Sequence, residues 1–428
     1  MATARTIPAP AISSSNQFET NYQTSLVALR GAEIAPYFIL GSKAYFGDQT
    51  FGKNRNGQVY GFVIQDRTEV ENSLAIGAGA KTNLVERVVN LAIEPWHMTE
   101  KTNVVEGQTD DVFDKRVAEK IGPALLQGAL QKSIKNDMPK CSTCFVGNAG
   151  EFEPLSMAAA HLSSLTSEPL YGFCDPMVQA IVTSKGAQFV PVDAPAMYKQ
   201  GLIGHFHGAD YRSIRFIPRV KISSAFATAM SGAKFASFAQ NGTTGKYELT
   251  VTLGASVASA TKIAAGTPFF VDGVVATDTV GDPTTEPYAF IAAEDVSVAT
   301  TDSAVVIPVD EVPVSVLGTR VASLEDGSII VWSGASANVT SANDVTCPAA
   351  GTYFGAIIRA NGAFEFETLD TIDVATPESK KGSVEGITIH QNRLVDMANF
   401  VNDTRFDLFT ISGTVEKRAQ SLVLLKAK

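Results

Sequence analysis

The chain has 428 residues, of which 45% are hydrophobic and only 18% are charged, and its formal net charge is −10. This length allows two or three domains, while the acidic balance and the absence of any basic run longer than two residues argue against a protein that reads nucleic-acid sequence. The sequence has no secretory leader pattern, no run approaching about 18 apolar residues and only four cysteines. It therefore predicts synthesis in a reducing cytoplasm, without a membrane span or a disulfide framework.

The N-terminal part of the chain predicts segments that need a partner surface. Residues 1–36 contain Pro, Ser, Asn and Gln without a sustained period, which is typical of an arm laid over another surface. Within 44–98, two extended runs at 58–64 and 84–93 flank a polar, glycine-containing stretch and predict a long two-stranded loop. Such a hairpin has too little core to be stable alone, so we expect it to pack on another subunit.

A long helix is predicted in the region 99–139. Apolar residues recur there every four positions and acidic residues begin the first turn, which indicates an amphipathic helix from Asp110 to Asn136. Gly122 and Pro123 lie in its interior. Because proline removes a backbone donor and clashes with the preceding turn, we expect a kink at this pair.

Two further stretches predict a mixed α/β core. Residues 140–222 show short helices at 154–165 and 176–184, followed by strand-like runs such as 188–192. Residues 348–428 resume the same character with several strands, the last of them at 421–426. We expect both stretches to belong to one domain that the block between them interrupts.

That block, between Ser223 and Cys347, differs in composition from its surroundings. It carries thirteen of the 44 acidic residues and only four of the 34 basic ones, so it supplies −9 of the net charge of −10. Helical periodicity stops, and short strand-like runs, such as the alternating run 247–253 and the apolar run 304–309, are separated by loops of Gly, Asp, Pro and Thr. The block predicts an inserted all-β domain, a small sandwich or barrel.

Candidate catalytic and metal-binding residues are sparse. Cys141 and Cys144 have CxxC spacing, but no second ligand pair accompanies them, so buried or free thiols are the favoured interpretation. His205 and His207 would share one side of a strand without a third ligand, which favours structural histidines. No nucleophile with a plausible base is present. We expect neither an enzyme nor a cofactor or metal site.

The order of these parts resembles the major capsid protein of tailed bacteriophages, the Hong Kong 97-type fold. The shared order is an arm, a long two-stranded loop, a long kinked helix, a mixed α/β middle and a closing strand. The acidic β insertion is similar to that in the coat protein of the short-tailed Salmonella phage group. The preceding segment 171–221 contributes a Phe-Cys-Asp-Pro helix start at 173–176 and Gly-Ala-Asp-Tyr-Arg at 208–212. The likeness spans the chain and includes no short diagnostic motif.

This resemblance implies an α+β fold and a structural role. The implied parts are an N-arm at 1–36, an extended loop at 44–98, a peripheral domain with its spine helix in 99–139, an axial and peripheral core from 140–222 and 348–428, and an inserted β-barrel at 223–347. The implied function is assembly into pentamers and hexamers of an icosahedral, commonly T=7, head that encloses double-stranded DNA. Implied partners are other copies, scaffolding and portal proteins, and nonspecifically held DNA; the implied location is the virion, after synthesis in the host bacterial cytoplasm.

Two alternatives from other classes stay open. An encapsulin-like nanocompartment shell protein would share the capsid fold, although that group is typically shorter and lacks the insertion. A β-rich phage decoration or adhesin protein would suit the Thr, Ala and Val content, but the helix from Asp110 to Asn136 disfavours it.

The charge distribution adds a hypothesis about the two sides of a shell. If the acidic block projects outward, Lys132, Lys135 and Lys140 near the helix end would lie closer to the lumen and to DNA. The alternative is that these lysines complement the negative C-terminus of the helix, and the sequence favours that interpretation.

Overall fold

A computed structural model describes residues 36–43, 59–66, 85–103, 110–148, 151–180, 202–206, 208–214, 216–277, 283–310, 330–332, 336–338, 341, 343–368, 379–384, 387–396 and 401–427. The predicted arm at 1–36, the hairpin tip and the predicted strand at 188–192 lie outside these residues, apart from Pro36. The described architecture is mixed α+β, as the sequence predicted.

The helices are few and the strands many. The α-helices are α1 (Pro36–Ile39), α2 (Asp110–Asp137), α3 (Glu153–Leu165) and α4 (Ser224–Ala229), with 3-10 turns at Met138–Lys140 and Lys417–Ala419 and a further helical stretch at 176–180. The strands before the acidic block are β1 (Ser42–Lys43), β2 (Val59–Asp66), β3 (Val85–Asn103), β4 (Thr143–Asn148), β5 (Leu170–Cys174), β6 (Leu202–Phe206), β7 (Ala209–Ser213) and β8 (Val220–Ile222).

The acidic block contains twelve described strands and the C-terminal part six. Those of the block are β9 (Lys234–Gln240), β10 (Tyr247–Thr252), β11 (Thr261–Ile263), β12 (Pro268–Val271), β13 (Val275–Thr277), β14 (Pro283–Pro287), β15 (Phe290–Ile291), β16 (Val296–Val298), β17 (Ala304–Val309), β18 (Ile330–Trp332), β19 (Ser336–Asn338) and β20 (Val345–Thr346). Those that follow are β21 (Gly351–Ala360), β22 (Phe364–Thr368), β23 (Ser379–Val384), β24 (Ile387–Asp396), β25 (Val401–Thr414) and β26 (Gln420–Lys426).

One seven-stranded sheet, the hairpin sheet, is organised around the long strand β25. Along one edge β25 pairs with β3, and along the other with β24 and then β22, while β1 and β23 complete the sheet. Among the described strands, β2 pairs with β3 alone, in antiparallel register from Val59 opposite Ala92 to Asp66 opposite Val85. The two-stranded loop predicted from the sequence is therefore confirmed over its described residues.

The second seven-stranded sheet, the central sheet, has the order β4-β26-β21-β5-β7-β6 with β8 beside the start of β21. Strand β26 is almost wholly buried because both faces of the sheet are covered. Leu422 and Leu424 enter the larger hydrophobic cluster, and Val423 and Leu425 enter a smaller one that includes α3. The alternation follows directly from the two-residue period of a strand.

The two longer helices cover different sheets. Helix α2 packs on β3 and β25 of the hairpin sheet, and the described side chains of its predicted apolar stripe are buried, including Ile121, Leu125 and Ile134. Helix α3 packs on β4 and β26 of the central sheet. Both helices match the sequence predictions to within one residue at each end. No helix among the described residues is long and apolar enough to span a membrane.

Apart from the short helix α4 (Ser224–Ala229), the described regular structure of the acidic block consists of strands, and the predicted closed barrel is not seen in it. Its strands form two three-stranded sheets, β17-β10-β9 and β15-β12-β20, together with two-stranded pairs, and no closed sheet occurs among the described residues. The two three-stranded sheets touch at two isolated bridges, Lys234 with Asp344 and Ala292 with Val309. Because β15 and β20 are only two residues long, each seam consists of one bridge instead of the continuous ladder that closes a barrel.

The acidic block shares its core with the rest of the chain. Its buried side chains include Phe238 and Phe290, whose ring centroids lie 5.5 Å apart, and they belong to the same hydrophobic cluster as Met138 and Ile121. The backbone N–H of Ala289 also donates to the carbonyl of Ser142 at 3.0 Å, and β15 packs on the 3-10 turn at Met138–Lys140. The block and the rest of the described chain therefore share one continuous apolar core.

Candidate assembly elements

The pair β2 and β3 forms a ribbon that extends beyond its sheet. In the described part of the chain, residues 85–92 of β3 pair with β2 and residues 93–103 pair with β25. Among the described elements, none other than β3 packs extensively on β2. Eight paired positions correspond to a ribbon roughly 27 Å long. A two-stranded ribbon is marginally stable by itself, so its length requires support from another surface.

The base of this ribbon is fixed to α2 and β25. The indole N–H of Trp96 donates to the hydroxyl of Thr410 at 3.0 Å, and Lys132 forms an ion pair with Glu94 at 2.6 Å. Gly128 of α2 lies against the Trp96 ring, so that an added Cβ would meet the ring carbons at 3.2 Å. This close approach leaves no room for a larger side chain. It explains why a glycine stands inside the helix, although glycine destabilises a helix interior relative to alanine. The ribbon therefore begins from a rigid helix-and-sheet base.

The second element, which we call the junction, is a buried polar cluster that holds residues 36–43 between the sheets. Arg359 on β21 donates to the carbonyl oxygens of Tyr37 and Leu40, the latter at 2.9 Å, and thereby caps the C-terminus of α1. The hydroxyl of Tyr37 donates to Asp137 at 2.5 Å, and the hydroxyl of Thr414 donates to the same carboxyl group at 2.9 Å. The junction thus joins α1, the end of α2 and both sheets.

Aromatic rings enclose the guanidinium of the junction. Its central carbon lies 4.1–4.6 Å from the ring centroids of Tyr37, Phe173 and Phe364, which are favourable cation–π distances. Arg359 is fully buried, and its Nε and Nη1 atoms have no hydrogen-bond partner among the described residues. Ring faces therefore replace part of the hydration that this cation loses.

Burial opposes both charges of the junction. It raises the pKa of the Asp137 carboxyl, although Lys140, Tyr37 and Arg359 act in the opposite direction. It also lowers the pKa of the Arg359 guanidinium, an effect that Tyr37 and Asp137 oppose. Each charged group depends on the other because neither reaches water.

The glycine, proline and lysine residues singled out in the sequence lie in different surroundings in the structure. Gly122 and Pro123 lie within α2, which is helical without interruption from Asp110 to Asp137; a kink at this pair stays a prediction. Lys132 is engaged by Glu94 and lies 5.8 Å from the centroid of Trp96.

The other two lysines of that group face different surroundings. Lys135 is exposed in the last turn of α2; the pKa of Asp295 in the acidic block is lowered chiefly by hydrogen bonds from Lys262 and the backbone of Ala265, and the charge of Lys135 adds a smaller effect in the same direction. Lys140 is half-buried and acts on Asp137. The three lysines do not form one patch with a shared partner, and their position relative to a shell lumen stays a prediction.

The CxxC pair lies in the core. Cys141 and Cys144 are buried, and burial raises the pKa of both thiols, which disfavours the reactive thiolate. Among the described residues, no group of three His, Cys, Asp or Glu side chains could hold a metal ion. His205 lies in β6, and His207 lies outside the described residues.

Sequence reasoning missed the junction. The only local signal is that Arg359 shares a strand face with Tyr353 and Ile357, both of which are buried. A charged side chain in such a register points into a core and needs partners there. Those partners, Tyr37 and Asp137, lie hundreds of positions earlier in the chain.

Comparison with known proteins gives structural likenesses only. No protein-family model and no curated protein matches the chain. It is similar to a chain of Mycobacterium phage Che8, with a TM-score of 0.40, 10% identity and 90% of each chain covered. It is also similar to the capsid of Ralstonia phage GP4, with a TM-score of 0.42, 6% identity and coverage of 87% of this chain and 84% of that one.

A third similar structure is a virus-like particle from Pyrococcus furiosus, with a TM-score of 0.38, 8% identity and coverage of 94% of this chain and 97% of that one. All three scores lie below 0.5, so we argue the function from the ribbon, the junction and the sheets of this chain.

Proposed function

We propose that the chain is a shell-forming major capsid protein of the Hong Kong 97 type, in which pentamers and hexamers build an icosahedral phage head around double-stranded DNA. The role is structural and not catalytic. Scaffolding and portal proteins are its further partners, and the DNA contact is nonspecific. A T=7 arrangement belongs to the same proposal.

The observation that carries this proposal is the ribbon of β2 and β3. It extends beyond the hairpin sheet, and within the described chain its first strand packs extensively on β3 alone. If each copy places its ribbon on the next copy, every ribbon becomes buried. The same contact is then repeated between all copies. Its fixed base at Trp96 sets the direction in which every copy reaches.

The remaining elements suit the same role. A subunit of a closed shell needs a rigid body to hold its contacts in place. The junction connects α1, α2 and the two sheets through hydrogen bonds between buried groups. The chain upstream of Pro36 would then leave from an anchored point, which supports the use of residues 1–36 as an arm.

Removing the ribbon tests the proposal. Residues 59–90 are replaced by a short Gly-Ser linker, which keeps Leu91, a buried residue at the ribbon base. We expect the wild-type protein to give closed shells in electron micrographs and the variant to remain as soluble subunits. Circular dichroism and chemical unfolding serve as controls for an intact body. Shells in normal yield without the ribbon would contradict the proposal, as would a wild-type protein that forms only small soluble oligomers.

The orientation of the acidic block is part of the proposal. With −9 of the net charge, the block faces outward, away from DNA, and Lys132, Lys135 and Lys140 lie closer to the lumen. Changing these three lysines to Gln should lower the DNA content per shell, whereas changing Lys234, Lys246 and Lys262 of the block should not. Equal DNA contents in the two triple variants, or a cryo-EM map with residues 223–347 facing inward, would refute this orientation.

We further propose that α2 bends at Gly122 and Pro123 and changes its curvature between a precursor and a mature shell. Proline removes one backbone hydrogen bond from the middle of this 28-residue helix. Pro123→Ala should therefore disturb shell maturation, as followed by electron microscopy. Unchanged expansion with a normal yield of particles would rule out this role.

A further inference from the structure

The turn between β9 and β10, residues 241–246, lies at the surface of the acidic block. The two strands pair in antiparallel register up to the ends of this turn. The N–H of Asn241 donates to the carbonyl of Lys246, and the N–H of Gly245 donates to the carbonyl of Asn241, both at 2.7 Å. Asn241 is half-buried and the remainder of the turn is exposed. Water therefore reaches a turn whose backbone is held in one shape.

The side chain of Asn241 is held by three hydrogen bonds. Its Oδ1 accepts from the backbone N–H groups of Thr243 at 2.9 Å and Thr244 at 3.1 Å, and its Nδ2 donates to Oε1 of Glu248 at 2.8 Å. Two backbone donors on one carbonyl oxygen polarise the C=O bond and stabilise the negative charge that develops on this oxygen when the carbon is attacked. Cγ of Asn241 is thus prepared for a nucleophile.

The nearest nucleophile along the chain is the backbone nitrogen of Gly242. Within the described residues, its N–H donates no hydrogen bond. A Cβ added at this glycine would meet nothing within 4 Å, so the backbone lies in open space. Glycine also has the freest backbone and carries no side chain that would hinder the approach. Attack of this nitrogen on Cγ of Asn241 closes a small imide ring between groups that the chain already holds together.

A second Asn-Gly pair in the described part of the chain has a different environment. The N–H of Gly362 donates to the carbonyl of Gly41 at 3.2 Å, and the N–H of Asn361 donates to the carbonyl of Pro169 at 2.8 Å. The nucleophile of this pair is therefore engaged, whereas that of the pair at 241–242 is not. The structure distinguishes two dipeptides that are identical in sequence.

We propose that Asn241 is a site of spontaneous covalent modification, in which its amide becomes a carboxylate. The nitrogen of Gly242 loses its proton to solvent and forms a bond to Cγ of Asn241. The bond between Cγ and Nδ2 breaks, and Nδ2 takes a proton from solvent and leaves as ammonia. Water then opens the imide to aspartate or isoaspartate. Each event consumes one water and releases one ammonia, without any oxidant or reductant.

The product changes the charge of the turn. The Nδ2 donor to Glu248 is replaced by a carboxylate, so that two negative charges face each other where a hydrogen bond of 2.8 Å stood. In the isoaspartate product the backbone runs through the former side chain, and the bonds from Thr243 and Thr244 are lost as well. The modification therefore makes the acidic block more negative and loosens the end of the β9 and β10 pair.

Peptide mass spectrometry of the ageing protein tests the site. The folded full-length chain is incubated at mildly alkaline pH, and samples are digested under acidic conditions that stop the reaction. We expect conversion at Asn241 about tenfold faster than at Asn361, the equivalent of one hydrogen bond that must break to free the nucleophile. The rate should rise with pH, because the amide loses a proton. Equal rates at the two sites, or a faster rate at Asn361, would overturn the proposal.

Unfolding provides the control for this difference. In concentrated urea the hydrogen bond from Gly362 to Gly41 is absent, so the two Asn-Gly pairs should react at similar rates. A tenfold difference that persists in the unfolded chain would show that neighbouring residues in the sequence, and not the fold, select Asn241.

A matched variant tests the nucleophile. Gly242→Ala should lower the rate at Asn241 about tenfold, because a methyl group restricts the attacking backbone, and should leave the rate at Asn361 unchanged. The added Cβ lies in open space, so unfolding curves of the variant should match those of the wild type. An unchanged rate at Asn241 in this variant would refute attack by the Gly242 nitrogen.

Hydrogen exchange tests the consequence of the new charge. Asn241→Asp should accelerate exchange of the amides of residues 241 and 245, whose hydrogen bonds close the turn. Combining it with Glu248→Gln should slow this exchange again, because the facing negative charge is removed. Unchanged exchange in Asn241→Asp, or an acceleration that Glu248→Gln does not reduce, would contradict the loosening of the turn.

Discussion

The junction and the surface of the acidic block use the same kinds of charged group in opposite surroundings. Asp137 and Arg359 are fully buried and are held by Tyr37 and aromatic rings. In the acidic block, the ion pair of Lys262 and Asp295 has a distance of 2.6 Å, yet its side chains are 61% and 48% exposed.

This difference decides where charged contacts matter for the fold. Two charges taken out of water depend on each other, and removing one leaves the other without compensation. An exposed pair at a similar distance is screened by water and salt and contributes little. The acidic block should therefore be held by its shared apolar core, and the remainder of the chain by that core together with the junction.

The largest expected effect comes from Arg359→Met. Loss of the guanidinium removes one of the positive charges that act on Asp137 and the buried donor to the carbonyl oxygens of Tyr37 and Leu40, so we expect a loss of about 3–5 kcal/mol in the free energy of unfolding. Denaturant unfolding of the unassembled subunit measures it. Lys262→Met is the control, since it removes an exposed cation. Similar losses in the two variants would break the comparison.

The next effect concerns the shared core. Met138→Ala leaves a cavity among side chains of the body and the acidic block, and we expect a cost of about 2–5 kcal/mol. Hydrogen exchange should accelerate in both regions because their core is continuous. Met177→Ala, at an exposed methionine, should change neither quantity. Faster exchange in one region alone would argue that the two cores are separable.

The third prediction concerns pH. Burial raises the pKa of Asp137, so the folded state holds this proton more tightly than the unfolded state. Its stabilising contribution is full below the ordinary pKa of 3.8 and is lost as the pH rises through the folded value. Asp137→Asn, which loses a hydrogen-bond acceptor at a cost of about 1–3 kcal/mol, should therefore be less destabilising at neutral than at acidic pH.

Asp295 provides the control of opposite sign. Hydrogen bonds from Lys262 and from the backbone of Ala265 lower its pKa, so its contribution is present above the ordinary value and is lost as the pH falls through the folded one. Asp295→Asn should consequently be more destabilising at neutral than at acidic pH. Chemical unfolding curves over this range measure both trends, and trends of the same sign would contradict the comparison.

The smallest effect is expected at the exposed pairs. Lys246 contacts Glu294 with about half of each side chain exposed, and Lys262 contacts Asp295 in a similar setting. Changing either lysine to Ala should alter the free energy of unfolding by about 0–1 kcal/mol. A loss of more than about 2 kcal/mol in the free energy of unfolding would show that solvent exposure alone does not decide how much an ion pair contributes to stability.

Local sequence patterns predicted the elements that depend on neighbouring residues. The four-residue recurrence predicted α2, alternation predicted β10, and short apolar-rich runs predicted the ribbon strands and β17. The predicted barrel is not seen among the described residues, where β15 and β20 are too short to continue a ladder. The division of residues 350–415 between two sheets was likewise not foreseen, since alternation in a strand does not specify its partner.

The sequence by itself determined the positions of helices and strands, the acidic middle block and the need of the ribbon for a partner, because periodicity and composition are local properties. Only the tertiary structure decided that the block shares a core with the body, that Arg359 binds the backbone of Tyr37 and that the hydroxyl of Tyr37 reaches Asp137. These contacts join residues far apart in the chain, and their energies arise from burial, which no local pattern specifies.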